Sequence, residues 1–340
     1  MKAALYRRTG DAADVLTVEE IDAPDPGAGQ VRVRISLSAI NPTDWKTRAG
    51  LTGADPGEDT TRSGAGPSID FQVPHQDGVG VVDAVGDGVT GLEPGQRVWL
   101  MLAAFGNRYA TAAEYAVLPA DRAVPLADTA SDELGACLGV PAVTAAHCLG
   151  GDPSALRGRT VLVAGGAGAV GHFAIELAKH AGARVVTTVS SDEKGEMAGA
   201  AGADLVVNYR EDGAIDRVQG FAERVDRIVE VALGANLEMD LAVAGAGTVI
   251  AVYANEPHDP VVPTRRFMMA NTAIQYVLLY GVPAEQLAAA VAWTSDAVAA
   301  GALSALPVTH YGLDDVVAAH EAVENGAVGK VVLTPDAMYP

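Results

Sequence analysis

The chain has 340 residues, more than one hydrophobic core ordinarily holds, so two domains are expected. Hydrophobic residues make up 49% of it, yet the apolar runs stop well short of the roughly 18 residues that a membrane-spanning helix needs. A formal charge of −20 with no Lys/Arg cluster argues against nucleic acid or an anionic membrane as partner, because both require a positive footprint. The first residues, Met1-Lys2-Ala3-Ala4-Leu5-Tyr6-Arg7-Arg8, lack the apolar stretch of a secretory signal, and a cytoplasmic protein is expected. Cys137 and Cys148 allow at most one disulfide and cannot build a four-thiolate zinc site; they read as reduced, packed thiols.

Residues 1 to about 125 carry short alternating or β-branched segments, such as Val31-Arg32-Val33-Arg34-Ile35 and Gly80-Val81-Val82-Asp83-Ala84-Val85, and read as mainly β. Leu51 to Ser68, dense in Gly, Asp, Thr and Pro, reads as a loop and a candidate flap. From about 127 strands alternate with helices, the signature of a parallel sheet with crossover helices. The predicted strands are 160–164, 184–189, 205–208, 226–231, 247–253 and 274–280. After the first of these, Val170, Phe173, Ala174, Leu177, Ala178 and Ala181 recur at helical spacing, with Gly182 as a stop. An Ala-rich helix over 285–300, a helix over 313–325 and a terminal strand over 330–333 complete the chain.

Gly166-Ala167-Gly168-Ala169-Val170-Gly171 follows the apolar strand Thr160-Val161-Leu162-Val163-Ala164 and opens the amphipathic helix, which is the context a pyrophosphate site demands. Glycines permit the tight turn, and backbone N–H groups at the helix start can bind phosphate. About 20 residues beyond this turn, an Asp or Glu would accept the ribose hydroxyls of NAD. Ser190, Ser191 and Lys194 stand there instead, offering hydroxyls and a cation to a 2′-phosphate, so NADPH is the expected cofactor. Asp192 runs against that reading, and an exposed lysine in a first helical turn is the alternative for Lys194.

The chain resembles the medium-chain dehydrogenase/reductase superfamily, specifically its zinc-free quinone oxidoreductase branch. The resemblance lies in Asn41-Pro42-Thr43-Asp44-Trp45-Lys46, Asp77-Gly78-Val79-Gly80-Val81-Val82, Gly95-Gln96-Arg97-Val98, Ala113-Glu114-Tyr115, Gly139-Val140-Pro141-Ala142-Val143-Thr144-Ala145, the glycine turn, Val207-Asn208-Tyr209 and Gly329-Lys330-Val331-Val332-Leu333. It implies an α/β protein in which residues 1–126 and 283–340 form a GroES-like β-barrel catalytic domain. Residues 127–282 would form a Rossmann domain with a doubly wound parallel sheet. It also implies that Thr144 approaches the nicotinamide end, that Tyr209 packs near the adenosine phosphate and that Val252 and Tyr253 line the cofactor cleft. Leu278 and Lys330 complete the expected cofactor set.

Zinc-dependent relatives carry a Cys near Asn41, a His near Gln76 and a Cys near Val140; this chain has none of the three, and His75 with Asp77 is a poor zinc shell. A metal-free site must hold developing negative charge with hydrogen-bond donors, which suits hydride transfer from NADPH to an α,β-unsaturated carbonyl or a quinone. Two tyrosines common in quinone oxidoreductases correspond here to Lys46 and Thr52. The chain resembles instead a sub-branch reading Asn-Pro-x-Asp-x-Lys, which implies Lys46 as a cationic donor beside nicotinamide and substrate, with Asn41 as polar neighbour. A ketone or thioester-linked enoyl reductase and a non-catalytic NADPH sensor stay open as alternatives. The apolar 271–280 segment reads as a sheet edge, and a homodimer is expected.

Overall fold

A computed structural model describes residues 1–51, 70–256 and 258–335. Thr52 and the 52–68 part of the predicted loop lie outside the described residues. The chain divides into two compact units, Met1–Val140 with Ala305–Pro340, and Pro141–Ser304. Among the described residues no helix is long and apolar enough to cross a membrane.

The first unit begins with an antiparallel pair, β1 (Lys2–Leu5) and β2 (Thr17–Glu20). Its central strand, β3 (Gln30–Ile40), buries Val31, Val33 and Ile35 at the period of two that a half-covered strand requires. One edge of β3 pairs with β4 (Asp77–Val85), followed outward by β5 (Arg97–Leu100); β6 (Tyr115–Pro119) lies along the first half of the other edge, and β7 (Ala123–Pro125) pairs with β5. Val82, Val98, Leu100 and Leu118 pack onto the Val31–Ile35 face as one core cluster.

The second unit is a six-stranded parallel sheet of β8 (Thr160–Ala164), β9 (Arg184–Val189), β10 (Leu205–Asn208), β11 (Val225–Glu230), β12 (Ala244–Val252) and β13 (Ala273–Tyr276). Its order, β10-β9-β8-β11-β12-β13, is the doubly wound arrangement that reverses direction between β8 and β11. All five residues of β8 are buried, as a central strand covered on both faces demands. The helix Ala169–His180 buries Phe173, Ala174, Leu177 and Ala178, and Gly182 follows with φ 84°. β13 is shorter than the 274–280 segment suggests, because its one partner among the described residues, β12, ends at Val252 and no ladder continues beyond. A 3-10 turn, Leu279–Gly281, takes over.

The chain then adds β14 (Val308–Gly312) and β15 (Lys330–Thr334) to the first unit, β15 pairing with the second half of β3. The predicted 313–325 helix is a 3-10 turn, Leu313–Asp315, leading into the helix Val316–Glu324.

Both unit borders lie later in the chain than the 126/127 and 282/283 positions read from sequence. The helix Asp132–Ala136 packs on β3, β4 and β5, with Gly135 so close to Val79 that a Cβ would meet its Cγ2 at 2.8 Å. The helix Ala284–Ala299 packs on the helices Val143–Cys148 and Ala169–His180. Composition gives no hint of either docking partner.

Candidate functional site

In the second unit the turn after β8 is built by backbone contacts that exclude side chains. Gly165 has φ 69°, and a Cβ on Gly166 would lie 2.1 Å from Thr187 Oγ1. The Gly166 N–H donates to the Thr188 carbonyl at 3.1 Å, and Gly168 N–H returns to the Gly165 carbonyl at 2.9 Å. Gly168 is exposed, and Ala169 and Val170 are partly exposed, at the start of the helix that follows. Gly165 was not among the glycines singled out from sequence; its signal was the doubled Gly165-Gly166.

The helix after β9 caps itself, with Ser191 Oγ accepting the Lys194 N–H, and the helix Leu233–Val243 after β11 receives the Glu256 carboxylate on Gly234 N–H at 2.6 Å and Ala235 N–H at 3.2 Å. The helix after β8 has no side-chain cap. Its N–H groups and positive end are left for an anion from outside, and the glycine turn, where a Cβ at Gly166 or Gly171 would collide with the protein's own atoms, fits the close approach of a pyrophosphate.

Ser190, Ser191 and Lys194 lie at the C-terminal end of β9 and are partly exposed. Ser191 therefore has a second task as helix cap, its hydroxyl hydrogen remaining available to donate. Lys194 has no ion-pair partner among the described residues, whereas Lys179 nearby in sequence is held by Asp204 at 2.7 Å. Tyr209 N–H donates to the Val189 carbonyl at 3.0 Å, so Tyr209, 47% exposed, leaves the sheet beside Ser190. Val252 is buried at the end of β12, Tyr253 N–H donates to the Glu230 carbonyl at 3.1 Å, and Thr144 is buried in the helix Val143–Cys148. Leu278 is 69% exposed beyond the end of β13, with Tyr276.

In the first unit the helix Pro42–Ala49 carries Lys46, whose ammonium lies 6.0 Å from the Trp45 ring centroid. Its start is locked by buried polar groups. Asn41 N–H and Gln76 N–H donate to the two Asp44 oxygens at 2.7 and 3.1 Å. Burial pushes the Asp44 carboxyl up to about 7, against those two amides. Asn41 Nδ2 donates to Asp77 Oδ2 at 2.7 Å, Val140 N–H donates to Asp77 Oδ1 at 2.8 Å, and Lys330 Nζ donates to Asn41 Oδ1 while standing 3.8 Å from Asp77 Oδ2.

Two of the expected site residues thus have partners within the protein. Lys330 is buried, and its ammonium is turned onto Asn41 and Asp77 rather than outward to a cofactor. Asn41 spans a carboxylate and an ammonium with its amide at the start of the Lys46 helix. Asp77, which ties them together, is pushed up to about 6 by burial, with Lys330 opposing.

His75 faces inward. Its Nδ1 lies 2.8 Å from Ser38 Oγ and its Nε2 lies 3.0 Å from His320 Nε2. Burial lowers the pKa of both imidazoles, that of His320 to about 3. Burial pushes the Cys137 and Cys148 thiols up to about 12, which suits packing rather than nucleophilic chemistry.

Residues 27–128 match the alcohol dehydrogenase GroES-like domain, and residues 169–296 match the zinc-binding dehydrogenase family. A quinone oxidoreductase of Rattus norvegicus is 27% identical over 318 residues, covering 92% of each chain. The native structure of a mycobacterial quinone oxidoreductase superposes with a TM-score of 0.81 at 28% identity, over 98% of this chain and 100% of that one. A mycobacterial structure complexed with NADPH gives a TM-score of 0.80 at 28% identity over the same shares.

Proposed function

Because the chain belongs to the zinc-free quinone oxidoreductase branch of the medium-chain dehydrogenase/reductase superfamily, we propose that it reduces small activated acceptors, quinones or α,β-unsaturated carbonyls, with NADPH. The observation that carries this reading is the uncapped helix Ala169–His180 at the glycine turn, with Lys194, which has no ion-pair partner among the described residues, at the end of the adjacent strand. In a chain of net charge −20, a cation left without a carboxylate is suited to an external anion.

When bound, NADPH supplies the hydride. The protein's residues bind, orient and stabilise charge around that transfer. Gly166 and Gly168 shape the turn, their own N–H groups bonded to the Thr188 and Gly165 carbonyls, and the helix-start N–H groups of Ala169, Val170 and Gly171 hold the pyrophosphate. Ser190, Ser191, Lys194 and Tyr209 take the 2′-phosphate and its ribose, and Thr144, Val252 and Tyr253 line the cofactor toward its nicotinamide end. Lys46 donates to the acceptor oxygen on which negative charge develops, as a cation that needs no metal beside it. Asn41, Asp77 and Lys330 keep the helix that bears Lys46 in place.

The chain is further assigned as a homodimer joined along β13. This strand has one sheet neighbour among the described residues, Tyr276 is exposed on it and Leu278 is exposed just beyond its end.

The test is NADPH and NADH oxidation by the purified protein over a panel of simple enones and quinones, with product analysis. Turnover that strongly prefers NADPH and yields a saturated ketone or a hydroquinone supports the assignment. Equal efficiency with both cofactors removes the NADPH reading, an alcohol product moves the protein to carbonyl reduction, and tight NADPH binding without turnover makes it a sensor.

A further inference from the structure

We propose that Arg210 is a second cation on the 2′-phosphate of NADPH and a determinant of the preference for NADPH over NADH. This rests on the NADPH reading above and adds a residue that no motif in the sequence points to.

The placement follows from the parallel ladder. Asn208 pairs with Val189, and Tyr209 N–H bonds the Val189 carbonyl at 3.0 Å. Neighbouring strands run about 5 Å apart, so the chain after Val189 and the chain after Asn208 leave the same edge of the sheet side by side. The first carries Ser190, Ser191 and Lys194, and the second carries Tyr209 and Arg210. Asn208 Oδ1 accepts the Arg210 N–H at 3.1 Å, a turn that fixes the backbone at this point. The guanidinium lies 5.9 Å from the Tyr209 ring centroid and is exposed.

Its partners are spoken for. Glu211, the adjacent carboxylate, is held by Arg217 at 3.1 Å, and Arg217 also donates to the Val206 carbonyl at 3.0 Å. Arg210, like Lys194, has no ion-pair partner among the described residues, although Asp192, Glu193 and Asp212 lie nearby in sequence. Two cations without an ion-pair partner among the described residues, at the ends of adjacent strands in so acidic a chain, match a phosphomonoester carrying between one and two negative charges. A guanidinium offers it two parallel N–H donors where Lys194 offers a point charge.

Isothermal titration of the wild type, Arg210→Gln and Arg210→Lys with NADP+, NAD+, 2′,5′-ADP and 5′-AMP tests this without turnover. The expected result is a loss of about 10-fold or more for NADP+ and 2′,5′-ADP in R210Q, as for a charged hydrogen bond, with NAD+ and 5′-AMP affinities unchanged and part of the loss recovered in R210K. The phosphorus resonance of bound 2′,5′-ADP should titrate at higher pH in R210Q than in the wild type. Wild-type affinity of R210Q for 2′,5′-ADP while Lys194→Gln loses it would overturn the role of Arg210 and leave the NADPH reading intact. Equal weakening of all four ligands would overturn it too, as a structural effect. Wild-type protein that binds 2′,5′-ADP no tighter than 5′-AMP would instead bring down the NADPH reading itself.

Discussion

Gly171 lies directly against Gly165: a Cβ on residue 171 would sit 2.3 Å from the Gly165 carbonyl oxygen and 2.9 Å from the Gly166 Cα. The first turn of the helix, whose free N–H groups are proposed to meet a pyrophosphate, is thus pressed onto the loop before it. Gly171→Ala must push the two apart, at about 1–3 kcal/mol for an overpacked site. Calorimetric titration should show NADP+ affinity reduced at least several-fold. Gly168→Ala, where the Cβ stands 3.3 Å from the same oxygen on an exposed residue, should cost far less.

Lys330 neutralises a fully buried Asp77 and holds Asn41. Lys330→Met should therefore destabilise the protein by about 3–5 kcal/mol in denaturant unfolding, because it strands a buried charge. The double variant Lys330→Met/Asp77→Asn should recover much of that loss. If K330M were as stable as the wild type, the ammonium would have a task other than this pairing.

Glu230 and Asp240 form a buried carboxyl pair. Glu230 Oε1 accepts the Ala232 N–H and Asn236 Nδ2, while Glu230 Oε2 and both Asp240 oxygens have no donor unless one carboxyl keeps its proton. Burial, then the Glu230 charge, pushes Asp240 up to about 9. The folded chain thus holds a proton that an unfolded aspartate, with pKa about 4, has lost, so stability falls as pH rises through that window. Asp240→Asn keeps a donor without a titrating proton. Between pH 7 and 9.5 its melting temperature should decline less than that of the wild type, by about 2–4 °C for each kcal/mol recovered. Parallel profiles would rule out a shared proton.

Lys194→Ala should lower kcat/KM with NADPH about 10-fold or more, as expected for loss of a charge-assisted bond, and leave the NADH value within about twofold. Equal losses with both cofactors would place Lys194 in the helix start rather than on the phosphate.

A charge on the β13 edge should separate the proposed protomers. Tyr276→Asp, at a residue 68% exposed in the described chain, is expected to convert a dimer to a monomer by light scattering. A wild type that is already monomeric at working concentration would refute the assembly.

Much of the second unit was legible before its structure. β8, β9 and β10 coincide with the 160–164, 184–189 and 205–208 segments: the inner strands β8 and β9, buried on both faces, read as unbroken β-branched runs, and the half-buried edge strand β10 shows as Leu205-Val206-Val207 between Asp204 and Asn208. The glycine turn was equally readable, since φ 69° at Gly165 and the close approaches at Gly166 and Gly171 admit little else. β13 was overrun because a strand ends where its neighbour's ladder ends, and the end of β12 is not written in residues 274–280.

What local sequence determined, then, is whatever depends on backbone sterics and periodicity: the doubly wound unit, its glycine turn, and a strand end lined by Ser190, Ser191 and Lys194. Only the tertiary structure decided the roles of Asn41 and Lys330, which meet across 289 residues of chain on a buried Asp77. A lysine's motif does not say whether its ammonium faces solvent or a carboxylate. That choice is made where desolvation must be balanced by a partner, and the partner arrives only when β15 pairs with β3.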